Sequence, residues 1–257
     1  MDSGVSEPST LPEILVSKSA DELYRKAADL FVDVAQPSAS GERMFTVALS
    51  GGKTPRSLYE LLAGETYQPK IAWDQTQVFF SDERFVPRDS PESNYRQANE
   101  ALLSRVPISE RFVHPVPTEN VAPEEAAAIY EEGIRRILTA GLDEVPSFDL
   151  VLLGLGSDGH TASLFPGTEA LSITNQLVTA NFVPQMDSWR ITFTYPLIDA
   201  ARYIMFLVEG AAKASVVAEV LSGEDLPAAR VRPINGRLIW LLDEAAASEI
   251  PAELRSS

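Results

Sequence analysis

The apolar run Leu150 to Leu153 stops at three glycines, Gly154, Gly156 and Gly159, and no other stretch limits the fold of this chain as strongly. Consecutive large aliphatic side chains leave a strand without a polar face, so both of its faces must be covered. A parallel sheet between helical layers meets that condition. Glycines directly after such a strand permit a tight reversal, which brings Asp158 and His160 to the C-terminal end of the strand. In open α/β sheets ligands bind at that end. His160 is one of only two histidines, and the other, His114, lies between Val113 and Pro115 in an ordinary loop context.

The rest of the chain alternates strand-like with helix-like segments. Ser19-Ala20-Asp21-Glu22 reads as a capping box, opening a helix with Leu23, Ala27, Leu30, Phe31 and Val34 on its apolar stripe. Phe45 to Leu49 reads as a strand, Pro55 to Leu62 as a short helix and Gln77 to Phe80 as a strand. A polar loop from Ser81 to Asn94 leads into a helix at about Tyr95 to Leu103. A longer helix from Pro123 to Thr139, closed by Gly141, precedes the Leu150 strand. Strands follow at Leu177 to Phe182, Ile191 to Tyr195, Tyr203 to Val208 and Leu238 to Leu242, with a helix at Ala212 to Leu221. Strands separated by helices predict parallel pairing and a three-layer α/β/α sandwich with a mainly parallel sheet. Neither a linker nor a repeat divides the pattern, so residues 11–257 are expected to form one domain after a polar, disordered segment 1–10.

Several functions are excluded by composition. A net charge of −16 disfavours nucleic acid and anionic membranes, which both need a basic field. A small anionic substrate remains compatible, provided that a few cations gather in a local pocket. The chain has no cysteine, so disulfides and thiolate chemistry are ruled out, and two histidines do not supply a His-rich metal site. There is no secretory leader pattern and no apolar run of membrane-spanning length, which predicts a cytoplasmic protein. A monomer is compatible with the sequence, which does not set the oligomeric state.

The residues with chemical potential cluster in loops at strand ends. In Ser50-Gly51-Gly52-Lys53-Thr54-Pro55 the glycines let backbone N–H groups converge on an anion at a helix N-terminus. The nucleoside triphosphatase phosphate loop is not an alternative, because Val47 stands where that motif requires its first glycine. Ser81-Asp82-Glu83-Arg84, with Arg88 and Asn94 beyond it, follows a strand and reads either as an oxyanion-binding site or as a surface ion-pair cluster. The Gly154 to Gly159 loop formally satisfies the dinucleotide fingerprint, but Pro166 comes too soon for the long helix which that fold requires. Glu209-Gly210-Ala211-Ala212-Lys213 puts a lysine in the first turn of a helix, where a bound anion would relieve its conflict with the macrodipole. Arg190 stands just before the Ile191 strand in a similar position.

Taken together, these segments resemble 6-phosphogluconolactonases. The likeness rests on Ser50 to Pro55, Ser81 to Arg84 with Asn94, the run Gly154-Leu155-Gly156-Ser157-Asp158-Gly159-His160-Thr161-Ala162-Ser163-Leu164-Phe165-Pro166-Gly167, Arg190-Ile191-Thr192 with Lys213, and Arg232 to Gly236. It extends from roughly Leu11 to Ala247. Ser157 stands where the family pattern has proline. The resemblance implies a ribose-5-phosphate-isomerase-like, Rossmann-like fold and hydrolysis of 6-phospho-D-glucono-1,5-lactone to 6-phosphogluconate in the pentose phosphate pathway. It assigns His160 as the general base, Asp158 as the group that orients it, and Arg84 with Asp82 to the lactone. Ser50, Gly51, Gly52, Lys213 and Arg190 are assigned to the phosphate. A histidine suits that task, since imidazole titrates near ~6.5 in unstructured peptides. The resemblance implies neither metal nor organic cofactor, and its partner is a small sugar-phosphate lactone. The related glucosamine-6-phosphate deaminases place a glutamate where this chain has Phe165. Sugar-phosphate sensors on this scaffold carry a DNA-binding segment that the acidic chain lacks.

Overall fold

The structure is a computed structural model that describes residues 12–40, 43–138, 144–251 and 254. The expectations for residues 1–10 and for Gly141 fall outside that set. Six strands, β1 (Glu13–Ser17), β2 (Phe45–Leu49), β3 (Thr76–Phe80), β5 (Leu150–Leu153), β8 (Tyr203–Val208) and β9 (Arg237–Asp243), form a sheet of order β1-β9-β8-β5-β2-β3 in which every pairing is parallel. The flanking helices are α1 (Ala20–Ala35), α2 (Lys53–Leu62), α3 (Asn94–Ala101), α4 (Pro123–Ile137), α5 (Tyr195–Asp199) and α6 (Ala214–Leu221). The fully buried strands β2 and β5 lie side by side in the interior of the sheet, as their apolar sequences require.

Local chemistry sets the helix ends. At the start of α1, Ser19 Oγ accepts the Glu22 N–H at 3.3 Å, and Glu22 in return accepts the Lys18 N–H at 3.1 Å, one residue before the cap itself. Helix α2 starts at Lys53, two residues ahead of Pro55, because Gly52 at φ 110° turns the chain directly into it.

A second, antiparallel sheet of order β4-β7-β6 was not legible in the sequence. It consists of β4 (Asp82–Arg84), β6 (Val178–Val183) and β7 (Ser188–Phe193). The segment expected as a loop after Ser81 therefore contains a strand, and β6 and β7 form a hairpin outside the parallel sheet. Ser81 is the junction between the sheets: its N–H donates to Leu49 C=O at 2.8 Å and its C=O accepts the Phe193 N–H at 2.8 Å. Phe148 packs its ring between Phe79 and Phe193, with centroids 5.2 and 5.4 Å away, and so ties β3 to β7.

Chain order gives the large sheet its functional polarity. From β2 the chain moves outward to β3 on one side, then returns to build β5, β8 and β9 on the other. The order reverses between β2 and β5, the switch point at which open α/β sheets place their ligand crevice. The loops leaving the C-terminal ends of these two strands contain Ser50 to Gly52 and Gly154 to His160.

Candidate functional site

The loop after β5 positions its own histidine. Its backbone closes on itself, with Gly156 N–H donating to His160 C=O at 2.8 Å and Gly159 N–H to Gly156 C=O at 3.2 Å. A Cβ on Gly156 would lie 2.0 Å from His160 Nδ1, so only glycine leaves room for the imidazole. Gly159 adopts φ +77° with the Leu226 side chain against it. His160 Nδ1 lies 2.5 Å from Asp158 Oδ1, and the same oxygen accepts the His160 backbone N–H at 3.2 Å. The opposite constraint is Phe165, whose ring stacks on the imidazole at 4.0 Å and 24°.

These contacts define a chemical state. A carboxylate that accepts from Nδ1–H fixes the neutral tautomer with its lone pair on Nε2. Burial by itself would raise the Asp158 carboxyl, but hydrogen bonds and charge from His160 outweigh it and hold the carboxyl below its ordinary value. Asp158 thus stays an anion at neutral pH and an acceptor for the imidazole N–H. Side-chain exposures of 26% for His160 and 46% for Asp158 leave the pair open to a small molecule.

Beside the β5 loop, the β2–α2 loop is clamped by a side chain from α2. Tyr59 Oη bridges both backbone groups of Ser50, accepting its N–H at 3.0 Å and donating to its C=O at 2.6 Å. The Ser50 hydroxyl is 3.9 Å from where a Gly154 Cβ would sit, which brings the two loops into contact range. No side chain caps the N-terminus of α2, so its first-turn N–H groups stay available to an outside acceptor.

The small sheet supplies the charged groups. Asp82 is buried and accepts the Ser163 hydroxyl at 2.7 Å and Asn94 Nδ2 at 3.2 Å. Asn94 crosses to the β2 loop: a Cβ on Gly51 would lie 1.8 Å from its Oδ1. Glu83 proves structural, since its carboxylate accepts the Asn94 and Tyr95 N–H groups at 2.7 and 2.8 Å at the start of α3. Burial raises its pKa, and these bonds only partly offset that. Arg84 donates to Glu92 C=O at 2.6 Å and lies directly opposite Arg190 in the β4–β7 register. Two guanidinium groups on cross-strand neighbours repel. Arg190 is buried, and its pKa is lowered by burial first and by Arg84 second. Its Nε and Asn94 Oδ1 are buried polar atoms without a protein partner. Arg88 is exposed and packs over the Tyr95 ring, 6.0 Å from its centroid.

Lys213 ends a short 3₁₀ turn and stands at the N-cap of α6, one residue before the helix rather than inside its first turn. Its Nζ donates to Leu155 C=O at 2.7 Å, next to the Asp158 loop, and burial lowers its pKa while Asp158 pulls it back up. The residues singled out in the sequence therefore gather at one sheet edge, on loops after β2, β5 and β8 and on β4 and β7. Sequence reasoning did not find Tyr59 as the clamp on Ser50, Ser163 as the partner of Asp82, or Phe165 as the ring against His160. Ser163 and Phe165 do lie inside the quoted glycine motif, but no local pattern announces Tyr59.

Residues 18–240 match the family described as glucosamine-6-phosphate isomerases/6-phosphogluconolactonase. A 6-phosphogluconolactonase from Nostoc sp. is 41% identical over 242 residues, covering 93% of this chain and 97% of the relative. One from Synechocystis sp. is 44% identical over 210 residues, covering 80% of this chain and 84% of the relative. The solved structure of 6-phosphogluconolactonase from Trypanosoma cruzi superposes with a TM-score of 0.83 at 35% identity, covering 94% of this chain and 98% of that one.

Proposed function

The chain belongs to the glucosamine-6-phosphate isomerase/6-phosphogluconolactonase family, and from that premise we propose that it hydrolyses 6-phospho-D-glucono-1,5-lactone to 6-phosphogluconate, the second step of the oxidative pentose phosphate pathway. The observation that carries this reading is the Asp158–His160 pair, held 2.5 Å apart at the crevice between β2 and β5. His160 Nε2 takes a proton from water as the oxygen attacks the lactone carbonyl. Asp158 holds the imidazole in the required tautomer and stabilises the imidazolium that forms. When the intermediate collapses, the ring C–O bond breaks and His160 returns the proton to the departing ring oxygen, giving the open hydroxy acid. Arg84 faces the charge that develops on the carbonyl oxygen, and Asp82, fixed by Ser163 and Asn94, keeps that part of the site in register.

The phosphate is assigned to Ser50, Gly51 and Gly52 at the uncapped start of α2, together with Lys213 and Arg190. A dianion there would add to Asp82, Glu92 and Glu83 in offsetting the opposed Arg84 and Arg190. The lactone is an activated ester, so water and a base suffice, and the reading includes no metal or organic cofactor. Phe165 against the imidazole speaks against a deaminase, which uses a glutamate at that place. The substrate is a cytoplasmic metabolite, and we assign the enzyme to that compartment.

The direct test is turnover of freshly prepared lactone, corrected for spontaneous hydrolysis, with and without the 6-phosphate. Two charge-assisted hydrogen bonds to the phosphate, at roughly 1.5–3 kcal/mol each, correspond to a preference of about two to four powers of ten in kcat/KM. Equal kcat/KM for the two lactones would remove the phosphate assignment. No turnover of either would remove the function.

A further inference from the structure

Away from the crevice, the β6–β7 hairpin leaves Phe182, Met186 and Trp189 exposed. Side chains alternate along β7, so Trp189, Ile191 and Phe193 share one face while Arg190 and Thr192 share the other, toward the candidate site. Helix α4 covers the first face at its far end, where Tyr130 stacks on Phe193. Glu131, in the second half of α4, accepts the Leu177 and Val178 N–H groups at the start of β6, so the first turn of the helix points to the hairpin tip. There Phe182 and Trp189, register partners with rings 5.4 Å apart, remain 39% and 37% exposed. A groove of about 930 Å³ runs from this pair along α4 and the outer edge of β6.

The chemistry of the groove selects its occupant. Strand β6 pairs only with β7, and beyond Val178 its outer edge has no strand partner among the described residues. Such an edge invites one more strand. Glu124, Glu132 and Glu169 line the walls without an ion-pair partner among the described residues, whereas the groove's basic residue, Arg135, is held by Glu131 at 3.1 Å. We propose that this groove docks an extended basic segment of a partner protein, which pairs with the edge of β6 and seats an apolar side chain on the Phe182–Trp189 pair. A second copy of the chain is disfavoured, because each copy would bring acidic walls and a net charge of −16.

The test uses the tryptophans. Trp73 and Trp240 are 2% and 1% exposed, so acrylamide quenching of the native protein reports on Trp189. An alternating lysine–valine octapeptide should protect Trp189 from acrylamide, and the glutamate–valine counterpart should not. In the double variant Glu132→Lys, Glu169→Lys the peptide concentration for half protection should rise on the order of tenfold. Lactone turnover should be unchanged in that variant, which keeps this test separate from the catalytic reading. Absence of protection at millimolar peptide, equal protection by both peptides, or protection indifferent to the charge reversal would overturn the proposal. So would quenching that falls with protein concentration alone, which would assign the face to a second copy.

Discussion

The two sheets contribute to the candidate site by different means. After β5 of the large sheet, the proposed proton-transfer pair lies two positions apart and is held by bonds within its own loop, Gly156 to His160 and Asp158 to His160. In the small sheet, Asp82 and Arg84 owe their places to partners far along the chain, Thr192 and Arg190 in the β4–β7 register and Ser163 across the crevice. On the proposed reading, the chemical step rests on a self-contained loop, while charge recognition depends on long-range pairing. Damage to the first should abolish turnover and spare the fold. Damage to the second should divide between binding, rate and stability.

The largest effect is expected from His160→Ala, which should lose about 10²–10⁴ in kcat while 6-phosphogluconate still binds by calorimetry. Near-native turnover would take the loop out of the mechanism. Because the Asp158 carboxyl is held low, the pair's contribution to stability is present above the ordinary carboxylate range and is lost as pH falls through the lowered folded value. Gly156→Ala probes the same loop without substituting a reacting group. The added methyl would meet His160 Nδ1 at 2.0 Å, so the ring must move, and kcat should drop by up to about 10². An unchanged rate in this variant would show that the imidazole is positioned from elsewhere.

Arg84→Lys keeps the charge and removes the planar pair of donors, and should cost roughly 10- to 100-fold in kcat/KM with an unaltered circular dichroism spectrum. Full activity would make Arg84 a mere surface cation. The smallest effect should be thermodynamic. Arg190→Met removes one of two opposed guanidinium groups, and should stabilise the phosphate-free protein by about 0.2–1 kcal/mol in urea melts. The same variant should gain less stability from added 6-phosphogluconate than the native chain. If it is destabilised in buffer alone, Arg190 serves the fold rather than an anion.

What was legible follows the same division. Strands β2, β5 and β8 appeared in the sequence with their observed bounds, since continuous apolar runs admit few other environments. Strand β4 did not, because Asp82-Glu83-Arg84 has neither alternation nor strand propensity and is a strand only through its pairing with β7. Helix α5 was hidden behind Tyr195, which read as the last residue of a strand, and β1 was hidden by its place beside a polar start.

By itself, then, the sequence determined the apolar strands, the glycines that turn the chain at their ends, and a loop in which Asp158 and His160 meet over two residues. Each depends on interactions within a few positions, so the local sequence carries enough energy to specify it. Tertiary structure alone decided that β4 leaves the parallel sheet at Ser81, that Arg84 comes to face Arg190, and that Tyr59 clamps Ser50. Those arrangements join residues whose separation along the chain carries no pattern. The first two accompany the burial of Phe79, Phe148 and Phe193 in one contact, which holds the two sheets together.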